Sequence, residues 1–410
     1  MTASALADKF ERHCRSYFDA IEHAAAMGAL READGSRATP YYPTIALVSG
    51  TPTHIVFELL GASVRRPTTL RLVSRSLPSL NHVLGRFPAN ETACLLRFGS
   101  RYSGGGLSHL ALMTSRNEEG FRERYSNFGD LHPSVLLYNG DIGPMVGFYP
   151  LQISDDLRDV SLVDVMLMAE WSGQARARYF QFALIIGRGA SSSELKRQLD
   201  ARFPVGRNTD LLAPATERNR ALLVTAANFA SLASVPKIGE TTITRFIEEN
   251  SELLAVALGG ERIVPQPVLE WIEGNPDPDE EWIQPDFLLI DRHGHVHVCE
   301  VKLPLLQRTT LTTGGHRRRR LVGDVAEGVA QLANYHEYLT FEPHRRLIRE
   351  RYQAEVVDPR LILIVGSSEN FREKEVREAQ RMLVPVEIVD YDSLRALYLV
   401  GSGYLPQRTH

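Results

Sequence analysis

The chain has 410 residues, is 43% hydrophobic and 23% charged, and carries a formal net charge of -4. That length exceeds one average domain, and the composition is that of a globular protein without a long biased tract. The charge excludes a protein coated in basic residues, but it is compatible with the local basic patches that nucleic-acid binding needs. Cys14, Cys94 and Cys299 lie far apart and are odd in number, so no disulfide framework is implied and a reducing cytoplasm is expected. The N-terminus lacks the uninterrupted apolar core of a signal peptide, and no window reaches the length of a membrane span. A cytoplasmic protein with no membrane attachment is therefore the expectation.

In chain order, residues 5–30 bring Leu6, Phe10, Tyr17, Phe18 and Ile21 round at three- to four-residue steps, which predicts a helix. Then come "TIALVSG", "HIVFELLG", "TLRLVSRSL", "ACLLRFGS", "LSHLALMTS", "SVLLYNGD", "VDVMLMAEW" and "YFQFALIIGRG". These short apolar or alternating runs, separated by Gly, Pro, Asn and Ser, predict about eight strands, mostly antiparallel given their short connections. The composition shifts near "RFPVGRNTDLLAPATERNRALL", which places the domain boundary there. A strand-rich regulatory or recognition domain is expected over 1–215 and a second domain over 216–410. Two helical segments ("RNRALLVTAANFASLA", "ETTITRFIEENSELLAVAL") open the second domain, followed by a β-hairpin and a long helix. A strand ("RLILIVGSS"), a helix ("FREKEVREAQRML") and a strand ("VEIVDY") complete it. The expected class is thus an α+β N-terminal domain rich in antiparallel strands, followed by an α/β domain.

The hairpin, "QPDFLLIDRHGHVHVCEVKLP" over 284–304, holds the chemistry. A three-residue turn, Arg292–His293–Gly294, places glycine in the left-handed slot that such loops favour. Closing the turn this way sets Asp291 opposite His295 and Asp286 opposite Glu300. Directly opposed residues share a face with Cβ atoms roughly 4.5–5.5 Å apart, and Lys302 follows Glu300 onto it by strand alternation. A loop one residue shorter or longer would put the carboxylates on opposite faces. Two carboxylates so close repel unless a cation resolves the conflict. Lys302 offers one, and a hard divalent ion such as Mg²⁺ or Mn²⁺ is the stronger solution. Such a set suits phosphodiester hydrolysis. His295, His297 and Cys299 alternate onto the other face; H-x-H-x-C is a zinc-type pattern, but a fourth ligand is missing and packing is expected.

Pro285–Asp286 followed by Glu300, Val301 and Lys302 resembles the PD-(D/E)xK nuclease signature on adjacent strands. Gln331 and Tyr335, spaced as Q-x-x-x-Y on the next predicted helix, resemble the RecB-like branch of that superfamily, and at i and i+4 both face one way. "FIEENSELL", the hairpin, "VAQLANYHEYL", "LILIVGSS" and "VEIVDYDSLRALY" together are similar to the C-terminal nuclease domain of Shedu anti-phage proteins, over about residues 240–400. The resemblance implies a restriction-endonuclease-like fold and a metal-dependent DNA endonuclease of bacterial immunity. It also implies a homo-oligomer, with a tetramer among the expected states, and an N-terminal region that regulates or senses. Asp286, Glu300 and the Val301 carbonyl would hold Mg²⁺ or Mn²⁺, Lys302 would position water, and Gln331 and Tyr335 would join the catalytic set. Members also carry a glutamate on a helix before the hairpin; Glu249 flanks the apolar face of "TRFIEENSELLAVAL" and is expected in that role. Arg317, Arg318, Arg319 and Arg320, between the hairpin and the Gln331 helix, would lie along the backbone of phage or plasmid DNA. The alternatives are a restriction- or repair-type nuclease outside immunity, or a non-catalytic DNA-binding module.

Three other patterns carry little. "DPDEEW" (277–282) lacks the glycine and terminal glutamate of a calcium loop. "SELK" at Ser193–Lys196 has no supporting motif, and "SGGGLS" (103–108) reads as a turn without the lysine of a phosphate loop.

Overall fold

The computed structural model describes residues 3–29, 40–84, 93–98, 109–114, 132–133, 135–139, 143–147, 160–171, 174–202, 217–236, 238–276, 279, 281–315, 318–381 and 383–402. The chain divides into two compact units, Met1–Val235 with Ser402–His410, and Pro236–Gly401. Among the described residues no helix is long and apolar enough to cross a membrane. The glycine-rich 103–108 and most of the expected boundary segment lie outside the described residues.

The first unit begins with helix α1 (Ala3–Ala26). Ten strands follow: β1 (Ile45–Gly50), β2 (His54–Leu60), β3 (Arg71–Ser76), β4 (Ala93–Phe98), β5 (His109–Thr114), β6 (His132–Pro133), β7 (Val135–Asn139), β8 (Gly143–Gly147), β9 (Val160–Trp171) and β10 (Gln174–Gly187). A short helix α2 (Leu80–Leu84) sits between β3 and β4, and α3 (Ser192–Arg202) and α4 (Glu217–Ala233) come after β10. All eight predicted runs form strands, joined by the short β6 and β8. The ten strands make one sheet whose main path is β3-β1-β2-β10-β9-β5-β4-β6. Its pairings are antiparallel except β1–β3 and β5–β9, which are parallel. Apolar residues at helical spacing drive α1 onto the sheet: Leu6, Phe10 and Tyr17 pack with Phe57, Phe182 and Leu184, and the Phe10 and Phe57 rings stack at 4.8 Å.

The expected boundary after residue 215 is corrected to Val235/Pro236. Helix α4 still belongs to the first sheet. Ala230 packs on Ile45, Leu47 and Leu60, and the Asn228 side-chain oxygen accepts the Ala62 amide at 3.1 Å. The composition shift marks the approach to this helix rather than the end of the unit.

The second unit opens with α5 (Glu240–Glu249) and α6 (Ser251–Leu258), separated by a break at Asn250. Its central sheet runs β11-β14-β15-β18-β19, from β11 (Gly260–Pro265), β14 (Phe287–Asp291), β15 (Val296–Val301), β18 (Leu361–Ile364) and β19 (Glu387–Val389). The first three strands are antiparallel to one another; β15, β18 and β19 are parallel. Two small ribbons, β12 (Leu269–Glu270) with β13 (Trp282–Ile283) and β16 (Thr312–Thr313) with β17 (Arg320–Leu321), flank it. Helices α7 (Gly323–Tyr338), α8 (Glu342–Tyr352), α9 (Glu373–Gln380) and α10 (Tyr391–Gly401) complete the unit. The order is a mixed α/β one, with α8 additional to the predicted elements. Val325, Val329, Leu332 and Tyr335 of α7 bury one face of the sheet, against Leu288, Ile290, Val296, Val298 and Leu363.

Candidate active site

The register of the β14–β15 hairpin is the one the turn predicts. Ile290 pairs with Val296 and Phe287 with Cys299, so the next step outward sets Asp286 opposite Glu300. Gly294 has φ 78°, the Asp291 amide donates to the His295 carbonyl at 3.0 Å, and the Asp291 side chain accepts the amides of His293 and His295 at 2.8 Å. An aspartate that caps its own turn and a glycine free to go left-handed lock the loop at three residues.

At the open end of the hairpin three charges meet. The Val301 amide donates to Asp286 Oδ2 at 2.8 Å, which ties that carboxylate to the neighbouring strand. Lys302 Nζ lies 3.1 Å from Glu300 Oε1 and 3.5 Å from Glu240 Oε1. Glu300 is only 4% exposed, and its Oε2 is buried without a hydrogen-bond partner. Burial first, and then the charge of Asp286, push the Glu300 carboxyl up to about 7. Burial likewise raises Asp286, helped by Glu240 and Glu248 and opposed by the Val301 amide and Lys302. Burial works against the Lys302 charge, but Glu300, Glu240 and Asp286 outweigh it and hold the ammonium above the ordinary lysine range. The lysine therefore stays charged, and it does not fully relieve the carboxylate pair. A crowded carboxylate pair with an orphaned oxygen is the donor set that hard divalent cations take, with water and phosphate filling the other positions.

The backbone of Lys302 is held on both sides. Its amide donates to the Ile364 carbonyl at 2.8 Å, and its carbonyl accepts the Tyr391 hydroxyl at 2.7 Å. Tyr391 is 1% exposed, and burial with the charges of Glu240 and Asp286 raises its phenol. Sequence reasoning missed this residue, because the contact joins positions 89 residues apart. On α7, a Cβ at Gly328 would stand 3.4 Å from Lys302 Cγ, so the helix backbone lies against the lysine stem. Gln331 follows Gly328 by three residues, and its buried Oε1 also lacks a partner. Tyr335, a turn further on, donates to the Gln284 carbonyl at 3.4 Å and so braces the segment leading into Asp286.

Two expectations are corrected. Glu249 is exposed, and the helix residue that reaches the site is Glu240, with Glu248 adding only its field. The reason is the break at Asn250, which stops α5 and α6 from sharing one continuous apolar face. Arg317 lies outside the described residues, while Arg318 and Arg320 are exposed. Arg319 is not available as a fourth backbone contact: it sits 3.0 Å from Glu375 and from Glu378 of α9.

The opposite face of the hairpin is packing. The Arg360 amide donates to His297 Nδ1 at 3.1 Å, which leaves the neutral ring's proton on Nε2, facing Asp291 Oδ2 at 3.7 Å. A protonated nitrogen is no metal ligand. Cys299 is fully buried, and burial pushes its thiol up. Among the described residues no three His, Cys, Asp or Glu side chains gather as a metal cluster, so any ion at Asp286 and Glu300 would rest on two carboxylates.

Residues 237–395, nearly the whole second unit, match the family model described as Shedu protein SduA, C-terminal. No curated protein matches the chain. Through this C-terminal unit, the chain belongs to the Shedu family.

Proposed function

We propose that the C-terminal unit is a metal-dependent DNA endonuclease acting in anti-phage defence. The observation that carries the reading is the meeting of Asp286, Glu300 and Lys302, with Glu300 Oε2 buried and unpartnered. The family match supports the defence setting. Asp286, Glu300 and the Val301 carbonyl are the proposed ligands of Mg²⁺ or Mn²⁺, which when bound would polarise the scissile phosphate and acidify a water. Lys302 remains protonated and orients that water toward phosphorus while offsetting charge on the phosphate. Gln331, one turn from the lysine stem, supplies an amide to hold the lysine or the substrate, and Glu240 shares the ammonium. Arg318 and Arg320 face solvent on the β16–β17 ribbon and would contact phosphates, with Arg319 bracing the ribbon on α9. A cytoplasmic homo-oligomer, with the first unit regulating or sensing, belongs to the same proposal.

Supercoiled plasmid incubated with the protein in Mg²⁺ or in EDTA tests it, beside Lys302→Ala. Nicking or linearisation should appear only with the metal and vanish in the variant. Cleavage that survives EDTA, or a fully active Lys302→Ala, would overturn the assignment. Retention of DNA without cleavage would point instead to a binding module.

A further inference from the structure

In the first unit α1 and α3 leave between them a cleft of about 350 Å³, at the small end of the roughly 300–1,000 Å³ typical of small-molecule sites. Its lining includes Lys9, Arg12 and His13 from α1 and Leu195, Lys196 and Leu199 from α3. The arrangement follows from the sequence. Leu6, Phe10, Cys14 and Tyr17 commit one face of α1 to the sheet, so Lys9, Arg12 and His13, at i, i+3 and i+4, form a stripe along its flank. Leu195 and Leu199, 0% and 1% exposed, make an apolar floor.

A seam that served only to join two helices would pair its cations with acids across the gap. Lys196 is so paired, with Asp200 one turn on, and Asp200 also lies 3.8 Å from His13 Nδ1. Lys9 and Arg12 differ. Among the described residues neither has a carboxylate partner, and Arg12 Nε reaches only the Asp8 carbonyl, at 3.3 Å. Two cations one helical turn apart, one of them a guanidinium able to grip two oxygens at once, match a phosphate dianion better than a single carboxylate. A bare phosphate would leave the leucine floor in water, whereas a ligand with an apolar body would cover it.

We propose that this cleft binds a small phosphomonoester carrying a flat or apolar body, of the size of a nucleoside monophosphate. The phosphate lies between Lys9 and Arg12, and the body rests on Leu195 and Leu199 beside the His13 ring. The site stands apart from the chemistry proposed for the second unit, and its failure would leave that proposal untouched.

Calorimetry on the full chain in EDTA, with AMP, adenosine and inorganic phosphate as separate probes, tests the proposal. AMP should bind saturably and at least about tenfold more tightly than either fragment, and added salt should weaken it. Arg12→Gln, at an exposed position, and Lys9→Ser/Arg12→Gln together should each weaken AMP about tenfold or more, with melting curves confirming the fold. Asp286→Asn should leave AMP binding unchanged. The proposal is overturned if AMP does not saturate, if the Arg12→Gln protein binds it as well as the parent does, or if Asp286→Asn removes the binding.

Discussion

Glu58 in the first sheet and Glu300 in the second are both buried glutamates on strands, 1% and 4% exposed. They have opposite surroundings. Glu58 spends both oxygens: Oε1 lies 3.3 Å from Arg75 and Oε2 2.7 Å from Arg178. Those arginines are themselves engaged, Arg75 with Ser49 at 2.7 Å and Arg178 over the Phe180 ring at 5.0 Å. Glu300 has one lysine on one oxygen, nothing on the other, and the like charge of Asp286 beside it. Burial of a charge therefore does not distinguish a structural ion pair from a reactive site. Unspent coordination and like-charge crowding do.

The largest test of this contrast is Lys302→Ala. Loss of a water-positioning group should lower plasmid cleavage by about 10²–10⁴-fold, with the fold and oligomeric state unchanged by melting and sedimentation. Glu58→Gln should fail in another way. It leaves Arg178 buried with a neutral partner and should cost about 3–5 kcal/mol in urea unfolding. A variant as stable as the parent would show that the first pair is not a structural bridge.

Glu300→Gln should have the opposite sign. In EDTA at pH 8 it removes a crowded charge and should stabilise the second unit by on the order of 1–3 kcal/mol, an advantage absent at pH 5. The linkage follows from a folded-state carboxyl raised to about 7 from 4.5. The folded protein holds that proton more tightly than the unfolded chain, so stability is highest below the unfolded value. It declines as pH rises toward about 7 and is level above that. The metal-free parent should accordingly melt lower at pH 8 than at pH 5.5, and Mg²⁺ should raise the melting temperature more at pH 8. Equal Mg²⁺ effects at both values would count against a cation on this pair.

The smallest effect belongs to Tyr391→Phe, which deletes one buried hydrogen bond to the Lys302 carbonyl, worth about 1 kcal/mol. As a positioning residue it should lower kcat about tenfold with KM for DNA unchanged. A change confined to stability would make it purely structural.

The hairpin was legible because its determinants are local. Turn length, the capping Asp291 and the left-handed Gly294 all lie within the segment they control, and together they decide which side chains oppose. The strands of the first unit were legible for the same reason. What escaped depended on remote partners or on a break in periodicity. Asn250 resets the helical phase between α5 and α6, so a wheel drawn through both selects Glu249 where Glu240 at the first turn reaches Lys302. Arg319 looks like its neighbours until Glu375 and Glu378 arrive from a helix more than fifty residues on. Helix α4 reads as the start of a new domain because nothing in its own residues reveals that Asn228 and Ala230 belong to the first sheet.

The turn at Arg292–Gly294 also bears on how such a protein can drift. Its tip is exposed and touches no proposed ligand, so substitutions there should be tolerated freely. Changes of length should not. One codon gained or lost at the tip would carry Glu300 and Lys302 to the far side of the sheet while leaving every proposed active-site residue present in the gene. A lineage could keep the whole motif and lose its geometry through a single indel at a site that alignment would score as an ordinary surface loop. Hairpin length is therefore the character to compare when judging which relatives still hold these groups together.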